Sequence, residues 1–153
     1  MAFRFRFQSL LRYREHLRSE AQTEMAHAVR RHEGSVQLLE AARRERRNHQ
    51  ESLEQRQKTG IAAVDYVTTA EYLALLERQL LLIEREVQQF AQEVLAAKEL
   101  VLRRQTEVRT LECLEVNDRT DYRKIQNRKE RAQLDENAIV RDARSRREMP
   151  TQD

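Results

Sequence analysis

Helix breakers and large aromatics are what this sequence has least of: one proline, two glycines and no tryptophan in 153 residues, with aromatics at 5%. So few turn-forming residues argue against a compact domain. So few aromatics leave little to fill a deep, layered core. The single cysteine, Cys113, excludes a disulfide within the chain and accords with a reducing compartment. No apolar run approaches the roughly 18 residues needed to span a bilayer, and the first residues lack the apolar core and small-residue cleavage site of a secretory signal. The expectation is a cytoplasmic protein with no transmembrane segment.

Charge is what the chain does have. Charged residues make up 36%, and the net charge of +3 is unevenly spread. Thirteen cations face eight anions over residues 1–58, three face seven over 59–102, and thirteen face eleven over 103–153. A composition this charged, with almost no glycine or proline, is that of long helices.

The strongest periodic signal runs from Leu73 to Leu111. Leu73, Leu76, Leu80, Ile83, Val87, Phe90, Val94, Ala97, Val101, Arg104, Val108 and Leu111 recur at alternating steps of three and four, and only Arg104 is not apolar. A 3.5-residue repeat is the period of a left-handed coiled coil. Between about 8 and 58 the pattern is weaker, and its best frame takes Ala21, Met25, Ala28, His32, Ser35, Leu39, Ala42, Arg46, His49 and Leu53. Small residues on one helix suit bulky ones on its partner.

Thr59-Gly60 reads as a helix stop, since glycine adopts the left-handed conformation that closes a helix. Thr68 and Glu71 have capping-box spacing, with Val67 and Tyr72 placed for a hydrophobic staple, so a second helix is expected from 68. The expected fold is all-α, one antiparallel coiled-coil hairpin over 1–153: helix 1 about 8–58, turn 59–67, helix 2 about 68–147, ended by Pro150, and a tail 148–153. Its register makes paired residue numbers add to about 126, setting Leu53 by Leu73 and Phe3 near Tyr122. At 1.5 Å per residue the helices measure about 75 and 115 Å, so the second overhangs the first beyond about residue 124. Gly34, at about 1 kcal/mol against alanine, is tolerable within a long helix.

No catalytic or metal constellation is present. His16, His27, His32 and His49 are never four apart, Cys113 has no companion ligand, and no glycine-rich phosphate loop occurs. The reading is no enzyme and no cofactor. Arg43, Arg44, Arg46 and Arg47 cluster without aromatic neighbours on which bases could stack, so they read as a solvated helix face, not a nucleic-acid interface. Leucines off the seam carry more information, because two helices cannot cover them. Leu81, Leu82, Leu95, Leu100, Leu102 and Leu114, with Tyr66 and Tyr72 by the bend, are candidates for a partner surface.

The two ends carry a family resemblance. Phe3-Arg-Phe-Arg-Phe-Gln-Ser-Leu-Leu-Arg-Tyr-Arg-Glu15, followed by Glu20-Ala21 and Ala26-His-Ala28, resembles the start of FliJ, the small coiled-coil component of the bacterial flagellar export apparatus. Leu111-Glu-Cys-Leu, Tyr122 and Arg128-Lys-Glu-Arg-Ala-Gln-Leu-Asp-Glu-Asn-Ala138 are similar to its ending, with Leu134, Asp135, Glu136 and Ala138 fitting Leu-Asp-Glu-x-Ala. Cys113 and Val116 depart from the basic or polar residues expected there.

The resemblance implies a non-enzymatic stalk, similar in shape to the central stalk of rotary ATPases, lying in the cytoplasm and peripherally at the inner membrane. It implies three partners: the hexameric export ATPase, the cytoplasmic domain of the membrane export gate, and export chaperones. Carried over by position, the ATPase-binding residues are Phe5, Phe7, Leu10, Leu11, Arg14, Leu134, Asp135 and Glu136, where both terminal signatures converge. Gate binding falls to Tyr72, Leu81 and Leu82. Two alternatives remain open on the residues: the equivalent stalk of a virulence-type injectisome, and a structural coiled coil that dimerises through the Leu73 to Leu111 seam.

Overall fold

The computed structural model of the chain describes residues 3–147; the expected tail, Pro150 included, lies outside them. Two helices follow in order, α1 (Gln8–Thr59, 52 residues) and α2 (Ala63–Arg147, 85 residues), with no strand among the described residues. The fold is an all-α two-helix hairpin with the second helix the longer. It divides into two compact units, Glu15–Gln105 and the described part of Met1–Arg14 with Thr106–Asp153.

The bend belongs to Glu15–Gln105 and is shorter than the sequence suggests. Thr59 ends α1, its hydroxyl donating to the carbonyls of Gln55 and Arg56 at 3.3 Å each, and Gly60 follows with φ of 102°. An L-residue would be strained there. The Ala62 carbonyl already accepts from the Tyr66 amide at 3.0 Å, so α2 starts at Ala63 and not at Thr68. The turn is therefore Gly60 to Ala62, which corrects the expected turn of 59–67 and the expected start at 68. Nothing between Ala63 and Val67 breaks a helix, and Asp65 in the first turn suits the positive end of the helix dipole. Thr68 consequently lies inside the helix, where its hydroxyl donates back to the Val64 carbonyl at 2.9 Å in place of capping.

Near the bend Arg56 meets Asp65 at 3.7 Å and the His49 ring meets Tyr72 at 4.9 Å, so these paired residue numbers add to 121, whereas those of the ion pair between Arg43 and Glu84 add to 127. Leu53 and Leu73 nevertheless line one groove.

Burial in this unit follows the two heptad frames. Ala21, Ala28, Ser35, Leu39 and Leu53 of α1 and Leu76 and Leu80 of α2 are buried, and the intervening frame positions are half-buried. Buried Ser35 satisfies its hydroxyl on the His32 carbonyl at 2.7 Å. Arg31, Arg43 and Arg46 of α1 reach Glu93, Glu84 and Glu77 of α2 at 3.2, 2.8 and 3.7 Å. All three pairs have the same polarity, which is what the basic first region and acidic middle region produce once they lie side by side. Each is worth at most about 1 kcal/mol in its exposed setting, so together they favour one orientation more than they add stability. Gly34 sits in unbroken helix, and a Cβ there would meet nothing within 4 Å.

In the other unit a short apolar cluster takes the place of a long seam. Phe5, Leu11 and Val108 are buried together, with Phe3, Phe7 and Leu111 packed against them. The alternation of Phe3, Phe5 and Phe7 does not become a strand. Gln8 N–H donates to the Phe5 carbonyl at 3.3 Å and Leu11 N–H to that of Phe7 at 2.9 Å, so the segment turns directly into α1. α2 continues well past its last covered position. Every residue from 127 to 147 is exposed. The stretch has no glycine or proline to break it, carries i, i+4 support such as Arg146 to Asp142 at 2.8 Å, and ends in arginines that suit the negative end of the dipole.

Candidate functional surfaces

The aromatic segment before α1 is fixed by rings and guanidinium groups. Phe5 and Phe7 meet edge to face at 5.8 Å, the Phe3 ring lies 5.6 Å from that of Tyr122, and Arg119 and Arg6 cover Phe3 and Phe7 at 5.5 and 4.5 Å. Arg14 is held to Glu107 at 2.7 Å. Of the residues assigned to ATPase contact, Phe5 and Leu11 are therefore interior, Phe7 is half-covered, and Leu10 is 40% exposed. Leu134 is 67% exposed, and Asp135 and Glu136 are exposed beside it.

These eight residues do not form one patch. The aromatic segment reaches Tyr122, and Leu134 lies twelve residues further along α2, about 18 Å at 1.5 Å per residue. The two terminal signatures thus make two surfaces: an aromatic collar around Phe3, Phe7 and Leu10, and a bare helical segment carrying Leu134, Asp135 and Glu136. Phe3, Glu107, Arg119 and Tyr122 complete the collar and were outside the assigned set, although the sequence register had set Phe3 by Tyr122.

The residues assigned to gate contact are also divided. Tyr72 turns its hydroxyl to α1, donating to the Glu45 carboxylate at 2.7 Å, and packs edge to face on His49. That hydrogen bond, then desolvation, then the charge of Glu45 raise the Tyr72 phenol above its ordinary 10.0. Leu81 comes nine residues later, which at about 100° per residue is the opposite side of α2. There it lines a groove of about 880 Å³ together with Leu80, with Arg43, Arg44, Arg46 and Arg47, and with Glu40, Glu77 and Glu84. Leu81 and Leu82 are 57% and 61% exposed.

Nothing in either unit assembles a reactive centre among the described residues. No three histidine, cysteine or acidic side chains converge as a metal site, and no buried side-chain polar atom lacks a partner. Cys113 is exposed and free. Among the described residues no helix is long and apolar enough to cross a membrane.

Fold and surface together define a coiled-coil protein whose distinctive chemistry lies on its exposed flanks. The family model described as Flagellar FliJ protein matches residues 3–147, and the chain belongs to that family. It is accordingly a component of the flagellar protein export apparatus. No curated protein and no solved structure matches the chain.

Proposed function

We propose that the protein is a non-enzymatic stalk that binds the hexameric export ATPase in the cytoplasm and links it to the cytoplasmic domain of the membrane export gate and to export chaperones. The observation that carries the reading is the bare α2 segment from 127 to 147, exposed throughout and displaying Leu134, Asp135 and Glu136, the residues that resemble the family's Leu-Asp-Glu-x-Ala. A long exposed helix with apolar side chains such as Leu134 and Ile139 is poorly matched to water and well matched to a protein socket. A stalk needs no active site of its own. Contacting the subunits of a ring unequally is enough to bias their states.

Within this reading Leu134, Asp135, Glu136, Phe7 and Leu10 touch the ATPase. Phe5 and Leu11 hold the collar in shape, and Arg14 is fixed by Glu107. Leu81 and Leu82, with Tyr72 on the other side of α2, serve the gate, and the association with the inner membrane is peripheral. Charge reversal at Asp135 and Glu136 combined with Phe7→Ala is expected to abolish co-purification with the ATPase while helicity is retained; undiminished binding would refute the assignment. Leu81→Ala with Leu82→Ala is expected to weaken binding of the gate's cytoplasmic domain, and unchanged binding would remove that contact.

A further inference from the structure

We infer that the flank of α2 at Leu81 and Leu82 docks an acidic amphipathic segment of a partner protein, with carboxylates flanking an apolar side chain. This deepens, and rests on, the reading of those leucines as a partner surface. The groove beside Leu81 is lined on α1 by Glu40 and four arginines, two of which are already spent: Arg43 on Glu84 at 2.8 Å and Arg46 on Glu77 at 3.7 Å. Arg44 and Arg47 have no ion-pair or hydrogen-bond partner, and they stand one turn apart on the exposed face. On α2, Arg78 and Arg85 are likewise exposed and without a partner. They lie three and four residues to either side of the leucine pair, which makes them its neighbours on the helix surface.

Leu81 therefore has two uncommitted guanidinium groups across the groove on α1 and one a turn away in each direction along α2, against the carboxylates of Glu40 in the groove and Glu86 beside Leu82. Exposed leucine bordered by unpaired cations is complementary to an apolar side chain bordered by carboxylates, and guanidinium groups bind carboxylates in a directed, bidentate manner. A lysine- or arginine-rich partner would be repelled. Single-stranded nucleic acid would match the charge but would find no aromatic ring in the patch to stack on.

The probe is a fluorescent 20-residue peptide of glutamate and leucine with the leucines at helical three–four spacing, titrated against the full-length protein by anisotropy. Its lysine-for-glutamate counterpart and a uridylate 12-mer serve as comparisons. Salt-sensitive binding of the acidic peptide alone is expected. Arg44→Glu with Arg47→Glu should weaken it about tenfold or more, and Leu81→Ala with Leu82→Ala several-fold, whereas Arg128→Glu with Arg131→Glu should change it by less than about twofold. Far-ultraviolet circular dichroism confirms that each variant stays helical. Loss with the leucine pair but not with Arg44 and Arg47 would keep the partner surface and overturn the acidic partner. Insensitivity to both pairs would overturn both, and equal or tighter binding of the RNA would overturn the inference in favour of a polyanion site.

Discussion

Replacing Leu11 by alanine should cost far more than the same change at Leu134, although both leucines stand on long helices and belong to the family signatures. Leu11 is 4% exposed, within the cluster of Phe5 and Val108. Moving a leucine side chain fully out of water is worth about 1.5–3 kcal/mol, and an unfilled cavity adds to the loss. The cluster is only one layer deep, so Phe7 and Leu111 can partly close the gap and the total should fall near the low end, about 2–3 kcal/mol. For a chain of this size that lowers Tm by about 5–10 °C. Leu134 loses almost no burial on truncation, and its change should stay within about 0.5 kcal/mol. Urea and thermal unfolding followed by circular dichroism measure both. Equal losses at the two sites, or none at Leu11, would refute the claim that the aromatic segment is anchored on α2 through this cluster.

Other outcomes follow from the same geometry. Gly34→Ala should stabilise the protein by about 1 kcal/mol, because the added methyl group meets nothing and the helix gains propensity. Gly60→Ala should destabilise it by about 1 kcal/mol through the φ of 102°, and the opposite signs are read from paired unfolding curves. The phenol of Tyr72 should ionise above 10.0, so the stabilisation from its bond to Glu45 is complete below that pH and lost as pH rises through the raised value. Phenolate absorbance, with Tyr72→Phe as the reference, should show the midpoint fall back toward 10.0 in Glu45→Gln.

How far the sequence predicts this structure depends on how each signal arises. The seam of α2 was legible because burial against one partner imposes a single period, and the positions from Leu73 to Leu111 are all buried or half-buried. The weak frame of α1 could be found only by holding that period fixed through small and polar residues such as Ser35 and His32. The start of α2 was not legible from Thr68 and Glu71. A capping box is worth about 1 kcal/mol, less than five further helical residues with no breaker among them and an acidic residue in the first turn. The candidate surfaces were legible by residue type and not by grouping. Phe5 and Leu11 share a signature with Phe7 and Leu10 but face inward, and the spacing between Tyr122 and Leu134 separates two surfaces that sequence similarity had joined. The arginine cluster was legible as a solvated helix face but not in its pairing: half of it neutralises glutamates of α2, which no count along one helix reveals.

The most direct test of the stalk reading is the turnover of the cognate export ATPase with and without this protein, measured alongside the assembly state of the ATPase. Faster ATP hydrolysis with a larger hexameric fraction is the predicted result, and it should disappear when Asp135 and Glu136 are reversed in charge. An unchanged rate with no complex formed would contradict the account, leaving the hairpin as a fold without the coupling role assigned to it.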